Sequence, residues 1–260
     1  MGRRFVLLLC LSALPLLGAV GCGGSSGSGG NGGPHNVVGN WKANFSPAFG
    51  ATTTGYGAIT SSGLGAMFDT SGNIVRLPTI TGASTFSGNL IAYAVNGTFF
   101  NGTDVTLTDT AQGSVNSGTS IAGSFSGSPS GTFSADSFSP LGGSVVPVSG
   151  TMNGKITGFS STLLLTFAPD GSFAGGEFSG PGSTCNVQGT LAQEGTSNVF
   201  DVTYNSVSGS CIANTQTGIA FESKTDYFNV NGGADANYLY LILLTSTLPQ
   251  VRPYVAIIYQ

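Results

Sequence analysis

Alternation of apolar and polar residues at every second position is common in this 260-residue chain, and no window shows the 3.6-residue apolar period of an amphipathic helix. In "VTLT" (105–108) and "FDVTY" (200–204), apolar and polar side chains alternate, as in a strand that is buried on one face. Gly-rich turns separate such runs from Val37 to Tyr259. The alternation predicts an all-β fold, an antiparallel meander forming a barrel or a sandwich, with neighbouring strands paired in sequence order.

Several short segments contain Asn, Asp and Gly residues that favour tight turns. Asn96-Gly97 falls between "LIAYAV" and "TFF", and both residues tolerate positive φ, so we expect a tight hairpin with a two-residue connection. Turns are also expected at "DTSGN" (69–73), between "GAMF" and "IVRL", and at Asp170-Gly171. Asn231-Gly232-Gly233 is expected to link a strand "YFNV" to the apolar segment that follows it.

Two segments near the end of the sequence are apolar on both alternating sets: "YLYLILL" (Tyr238–Leu244) and "YVAIIY" (Tyr254–Tyr259). Both are too short for a membrane-spanning helix, which needs about 20 apolar residues. Strands of an outer-membrane barrel are an alternative, but most strands here lack the lipid-facing apolar set that such a barrel needs. A strand that is apolar on both faces is buried on both. We therefore expect the two segments to be central in a sheet or covered on each side.

The chain has an approximate organisation in two halves. After the Ser-rich run "GSFSGSPSGTFSADSFSP", the segment "LGGSVVPVSGTMNGKITGF" (Leu141–Phe159) looks like a second start, similar to the one at Val37–Phe45. We expect an N-terminal β half over 37–140 and a C-terminal β half over 141–260, with a boundary near Pro140. A single barrel built from the whole chain is the alternative.

The first 21 residues have the pattern of a secretory signal peptide. Arg3 and Arg4 precede the apolar run Phe5–Leu17, and small residues follow it. The sequence Ala19-Val20-Gly21-Cys22 resembles the bacterial lipobox, which implies cleavage before Cys22 and lipidation of this cysteine. Ordinary secretion with an incidental cysteine is the alternative.

By that resemblance, residues 22–36 form a lipidated cysteine followed by a Gly/Ser tether. Two or more acyl chains make membrane attachment stable, so the membrane is expected as a partner through the lipid anchor. Gly23 follows the cysteine where an aspartate would mark retention, which resembles lipoproteins that are sent to the outer membrane. We therefore expect an exported outer-membrane lipoprotein that faces the periplasm or the cell surface.

The remaining cysteines predict a disulfide. Cys10 leaves with the signal peptide and Cys22 is assigned to lipid, so Cys185 and Cys211 remain. Disulfides persist in exported compartments, and we expect these two to pair. A metal or redox role would want a CxxC spacing or a nearby histidine, and the sequence has neither.

Charge excludes one class of partner. Charged residues make up 7% of the chain, against about 25% in typical soluble proteins. Without Arg3 and Arg4, the mature chain carries five basic and 11 acidic residues, a formal charge of −6. Such a surface has no electrostatic attraction for phosphate backbones, so no nucleic-acid partner is expected.

Candidate groups for chemistry are few. His35, the single histidine, lies in the tether, away from the rigid partners that a hydrolytic triad or a zinc site requires. Glu177, Asp201 and Glu222 lie within strands and are candidates for a two-carboxylate site, but an outward-facing solvated carboxylate is the simpler interpretation of each. We therefore expect no enzyme, no catalytic residue, no metal site and no cofactor.

The order of these segments resembles a group of uncharacterised β-rich lipoproteins of Gram-negative bacteria. The most specific part is "STCNVQGTLAQEGTSNVFDVTYNSVSGSC", which contains both remaining cysteines. This resemblance implies architecture and location but no activity. Separately, Gly39-Asn40-Trp41 resembles the Gly-x-Trp that opens the first strand of lipocalins, where the tryptophan closes one end of a ligand-binding barrel. A lipocalin-like barrel with Trp41 at its ligand site is thus an expectation, and a core tryptophan is the alternative.

Two functions follow from these features. The favoured one is a non-enzymatic, membrane-anchored structural or interaction module that has an envelope protein as its partner. The alternative is a lipocalin-like carrier of a small apolar ligand. A continuous cavity of at least about 300 Å³ lined by Trp41, Phe and Tyr would favour the carrier, whereas an interior filled by side chains would favour the module.

Overall fold

The structure is a computed structural model that describes residues 34–100, 102–139, 149–230, 232 and 236–260. Residues 1–33, which include Cys22, and the expected boundary at Pro140 lie outside the described residues. Within these ranges the chain forms strands, turns and loops, so the predicted all-β class is confirmed. No helix in the described part of the chain has the length and hydropathy to cross a bilayer.

The strands are β1 (Gly39–Phe49), β2 (Thr52–Ile59), β3 (Gly65–Phe68), β4 (Ile74–Arg76), β5 (Thr85–Tyr93), β6 (Thr106–Ser117), β7 (Ser120–Ser126), β8 (Gly131–Ser137), β9 (Gly150–Ile156), β10 (Thr162–Phe167), β11 (Ser172–Gly180), β12 (Ser183–Gln193), β13 (Val199–Gly209), β14 (Asn214–Ser223), β15 (Tyr238–Ser246) and β16 (Tyr254–Tyr259).

These strands form two closed antiparallel barrels of eight strands each. Every strand pairs with its neighbours in sequence, and the last strand of each set returns to the first. The first barrel, β1–β8, closes where Trp41 pairs with Ser137, and the second, β9–β16, closes where Ile156 pairs with Ala256. The predicted meander and the predicted division into two β halves are confirmed. Closure gives every strand a hydrogen-bonded partner on both sides, so neither barrel offers an edge for pairing with another chain.

Side chains fill the interior of the first barrel. Trp41 is 1% exposed, and its indole N–H donates a hydrogen bond to the Val37 carbonyl oxygen at 2.8 Å. The rings of Phe45 and Phe133 stack with 5.9 Å between their centroids. A buried tryptophan needs a partner for its N–H, and the backbone just ahead of β1 supplies it. Trp41 is therefore a core residue of the first strand.

An apolar interface joins the two barrels, which belong to one compact unit, Gly32–Gln260. The first barrel contributes outward side chains of β2–β4, and the second contributes outward side chains of β13–β16. Phe68 stacks on Phe221 across this interface, with 5.9 Å between ring centroids. The buried members are Ala58, Ala66, Phe68 and Ile74 from the first barrel, and Val199, Ile219, Phe221, Tyr238, Tyr240, Ile242, Leu244, Val255 and Ile257 from the second.

The two-faced apolar strands β15 and β16 lie at this interface. Leu239, Leu241 and Leu243 point into the core of the second barrel, whereas Tyr240 and Ile242 belong to the interface between the barrels. Both faces of β15 are thus covered, and β15 lies between β14 and β16 in the sheet. The prediction that these segments are central and covered on each side is confirmed.

The tight hairpin expected at Asn96-Gly97 is wrong. A turn does form there, because the backbone N–H of Thr98 donates to the Val95 carbonyl oxygen at 3.0 Å. However, "TFF" does not pair with the preceding strand; β5 pairs with β6 across a connection of residues 94–105. Phe100 from this connection is 6% exposed and belongs to the core of the first barrel. Burial of the Phe100 side chain in this core stabilises the longer connection.

The other expected turns have different outcomes. Those at 69–73 and at Asp170-Gly171 form as predicted and join β3 to β4 and β10 to β11. Residues 227–230, expected as a strand, form turns instead, and their Tyr227 and Phe228 side chains pack against the interface between the barrels. Asn231 and Gly233 lie outside the described residues.

Candidate functional site

A cavity of about 500 Å³ opens at one end of the second barrel. At this end, which we call the mouth, β9, β11, β13 and β15 end, and β10, β12, β14 and β16 begin. The loops 157–161, 210–213 and 247–253 surround it. The cavity thus lies among loops that a closed barrel supports, which is a common position for a ligand site.

Polar side chains from four strands form the inner side of the mouth. The Tyr204 hydroxyl on β13 donates a hydrogen bond to Glu177 Oε2 on β11 at 3.4 Å. The Tyr254 hydroxyl on β16 donates to Gln216 Oε1 on β14 at 2.7 Å. Glu177, Gln216 and Tyr254 line the cavity, and the ring of Tyr204 belongs to the barrel core. We call these four side chains the polar floor.

Burial sets the protonation of the two tyrosines. It raises the pKa of Tyr204 and of Tyr254 far above the usual value, and the nearby Glu177 carboxylate raises both further. Both hydroxyls therefore keep their protons at neutral pH and act as hydrogen-bond donors. Glu177 receives one such bond, and no Lys, Arg or His of the described chain forms an ion pair with it.

The rim of the mouth is apolar and exposed. Phe159 in the β9–β10 loop is 46% exposed, and Ile212 in the β13–β14 loop is 70% exposed. The Phe159 ring meets the Tyr254 ring edge to face, with 5.9 Å between centroids. An aromatic and aliphatic rim above a polar floor gives a small ligand an apolar contact and a few oriented hydrogen bonds.

The first barrel reaches the same rim through its β5–β6 connection. Asn96 Nδ2 donates a hydrogen bond to the Gly158 carbonyl oxygen at 3.0 Å. The guanidinium of Arg252, in the β15–β16 loop, lies 5.9 Å from the centroid of the Phe99 ring. This cation–π contact turns Arg252 toward the first barrel. The turn at Asn96-Gly97 therefore supports the rim of the second barrel.

A disulfide braces the mouth, as the sequence predicts. Cys185 on β12 is bonded to Cys211 in the β13–β14 loop, with 5.2 Å between their Cα atoms. Cys185 lies directly opposite Glu177 in the register of β11 and β12. The bond therefore ties a mouth loop to the wall that carries the Glu177 carboxylate.

The structure separates the three strand acids that the sequence singles out. Asp201 lies on the outer face of β13, and partial burial together with the neighbouring Glu194 raises its pKa to about 6. Glu222 is six positions along β14 from Gln216, roughly 20 Å at the rise of a strand. Glu177 is the one carboxylate that lines the cavity, so the described mouth lacks the carboxylate pair of a glycoside hydrolase.

Glu222 lies in an unusual environment at the opposite end of the second barrel. It is 5% exposed, its Oε2 has no hydrogen-bond partner among the described residues, and burial raises its pKa to about 7. The neighbouring Asn198 donates from Nδ2 to the Glu222 backbone carbonyl at 3.0 Å and accepts a hydrogen bond from Asn40 of the first barrel. A buried polar link between the barrels thus passes next to this carboxyl group.

The other sequence candidates lie away from the mouth. Trp41 does not line the cavity, because it is buried in the core of the first barrel. The backbone N–H of His35 donates to the Gly82 carbonyl oxygen at 2.7 Å, ahead of β1. Among the described residues, no three His, Cys, Asp or Glu side chains form a group that could hold a metal ion.

Sequence reasoning missed three of the four residues in the polar floor. Tyr204, Gln216 and Tyr254 each occupy an inward position of a strand of the second barrel. The available signal was Gln216, a polar residue on the same face of β14 as Gly218 and the core residue Ala220. A buried polar residue on the inner face of a strand indicates either a hydrogen-bonded pair or a ligand contact.

The fold and site together define a pair of closed eight-stranded β-barrels with a ligand-sized cavity at one mouth. No protein-family model, curated protein or solved structure matches the chain.

Proposed function

We propose that this protein is an exported, membrane-anchored, non-enzymatic binding module that holds a small ligand at the mouth of its second barrel. The observation that carries this proposal is the cavity of about 500 Å³ with the polar floor and a partly apolar rim. Its volume lies within the range of about 300–1,000 Å³ that small-molecule sites occupy. Core residues occupy the interior of the first barrel. The role of this barrel is therefore to cover the apolar outer face of the second barrel.

The proposal differs in one respect from a lipocalin-like carrier. The site is a mouth, bounded below by the packed core of the second barrel, which includes Leu165, Val187 and Leu241. The ligand therefore enters the end of the barrel and does not fill its length. A ligand held this way contacts loops as well as strands, and the disulfide at Cys211 limits the freedom of one of those loops.

An envelope protein is the second candidate partner. Phe99, Phe159 and Ile212 are 53%, 46% and 70% exposed and lie in loops near the mouth. Aromatic and aliphatic side chains exposed together favour protein interaction sites. This partner would cover the rim, whereas the small ligand occupies the cavity.

Anchoring is proposed from the sequence, and the disulfide of the folded part agrees with export. Cys22→Ser should release the protein from the membrane fraction, because it removes the acceptor of the lipid. Cys10→Ser is the matched control, since Cys10 lies in the expected signal peptide. Fractionation followed by mass spectrometry of the amino terminus gives the result; a membrane-bound Cys22→Ser protein would contradict the anchor.

Ligand binding is tested on protein purified from its native envelope. Native mass spectrometry should find a bound small molecule in the wild type, and Ser206→Trp, which fills the cavity from its wall, should lose it. Thr190→Trp is the matched control, because Thr190 is exposed on the outer wall of the same barrel. A wild-type protein without a bound molecule, or a Ser206→Trp protein that retains it, would refute the proposed function.

A further inference from the structure

We propose that the ligand of the mouth is a small organic cation, whose ammonium group is held by the Glu177 carboxylate. This inference rests on the proposed function and names the chemical class of its ligand. It comes from an unpaired charge: the Glu177 carboxylate lines the cavity and forms no ion pair in the described chain, because Arg252, which lines the same cavity, lies over the Phe99 ring.

The position of Glu177 is fixed from both sides. On β11 it lies on the same inward face as Phe173, and opposite the disulfide-bonded Cys185. The hydroxyl of Tyr204, which is 1% exposed, donates a hydrogen bond to Oε2. One bond from a neutral donor orients the carboxylate and leaves Oε1 without a partner among the described residues. An ammonium group supplies the charge and the donors that this oxygen lacks.

The neighbouring walls of the cavity suit a cation as well. Tyr254 and Phe159 line the same cavity as Glu177, and an ammonium group is attracted to the faces of such aromatic rings. Gln216 Oε1 accepts one hydrogen bond from Tyr254 and has a second lone pair for a ligand N–H. Carboxylate, amide oxygen and aromatic face are the groups that recognise amines.

The alternatives are less well matched to these groups. An anionic ligand would be repelled by the Glu177 carboxylate, and Arg252, the cation that also lines the cavity, already lies over the Phe99 ring. A neutral sugar would satisfy hydrogen bonds and leave the charge without a partner. Over residues 150–260 the chain has three basic and seven acidic residues, so the field of this barrel attracts cations.

The test compares two ligands of the same shape, 2-phenylethylamine and 2-phenylethanol, by isothermal titration calorimetry. The amine should bind the wild-type protein at least about 10-fold more tightly than the alcohol, because only the amine forms a charge-assisted hydrogen bond. Glu177→Gln should remove that preference, so that the variant binds the amine and the alcohol with about equal affinity. Asp170→Asn is the matched control, since it removes an exposed charge at the opposite end of the barrel.

Each result has a clear meaning. Equal binding of amine and alcohol, or a preference that survives Glu177→Gln, overturns the cation assignment. If the amine and the alcohol bind equally and Ser206→Trp abolishes the binding of both, the proposed ligand site stands and only the chemical class of the ligand is wrong. If neither compound binds, the cation assignment falls, and the ligand found by native mass spectrometry decides the proposed function separately. The wild-type comparison needs no variant, so the test remains decisive if Glu177→Gln does not fold.

Discussion

Stability should depend on pH through Glu222, and the effect should disappear in Glu222→Gln. Burial of this carboxyl group, without a partner for Oε2, raises its pKa from 4.5 to about 7. A raised carboxyl pKa means that the folded state binds the proton more tightly than the unfolded state. Below about pH 4.5 Glu222 is protonated in both states and does not reduce the free energy of unfolding. Above this pH the buried charge reduces it, and the reduction grows until the pH passes about 7. Each pKa unit corresponds to about 1.4 kcal/mol, so the full cost is on the order of 3 kcal/mol.

The measurement is the free energy of unfolding in urea at pH 4, 6 and 8 for the wild type and Glu222→Gln. The glutamine cannot ionise, so the difference between the two proteins isolates this group from the other acids. We subtract the free energy of unfolding of the wild type from that of the variant at each pH. This difference should be about 3 kcal/mol larger at pH 8 than at pH 4. Asp136→Asn, which removes an exposed carboxylate from β8, is the matched control and should show no such change. A difference that stays constant with pH would refute the argument, because Glu222 would then keep one protonation state throughout.

The remaining predictions concern the disulfide and a buried tyrosine. Replacing Cys185 and Cys211 together by Ala should lower the free energy of unfolding by about 3.5 kcal/mol, since the bond closes a loop with a separation of 26 residues. Urea unfolding measures this, and an unchanged midpoint would contradict the chain-entropy argument. Tyr240→Phe should cost about 1–3 kcal/mol, because the Tyr240 hydroxyl donates to the Thr225 carbonyl oxygen and accepts from the Tyr227 N–H. A thermal melt equal to that of the wild type would show that these two bonds contribute nothing.

The features of the fold that the sequence predicts are those that depend on local periodicity. Alternation identifies the strands, and the order of turns leads to a meander, because antiparallel neighbours need only short connections. The two-faced composition of Tyr238–Leu244 predicts cover on both sides, and the structure supplies it with a barrel core on one face and a second barrel on the other. Here the residue types alone determine the environment, because no other placement buries both faces.

Register and closure are less accessible from sequence. At Asn96-Gly97 the local turn preference is correct, but the strand pairing around it is decided by the insertion of Phe100 into a core built from distant strands. The polar floor depends on such long-range information too. Glu177 and Gln216 meet at one mouth only because β11 and β14 belong to the same closed barrel, and local propensity carries no signal for that.

The shared interface has a consequence for the order in which the chain can fold. During synthesis the first barrel is complete once β8 has emerged, yet its outward patch around Phe68 must wait for β14–β16 to cover it. The contact that closes the second barrel, between Ile156 and Ala256, joins residues about 100 positions apart, and such distant contacts form slowly. Until then, apolar surfaces of both halves face solvent at the same time. The six residues of β16 thus seal the second barrel and complete the cover of the first, and a ribosome that stops just before Tyr254 would release an aggregation-prone chain.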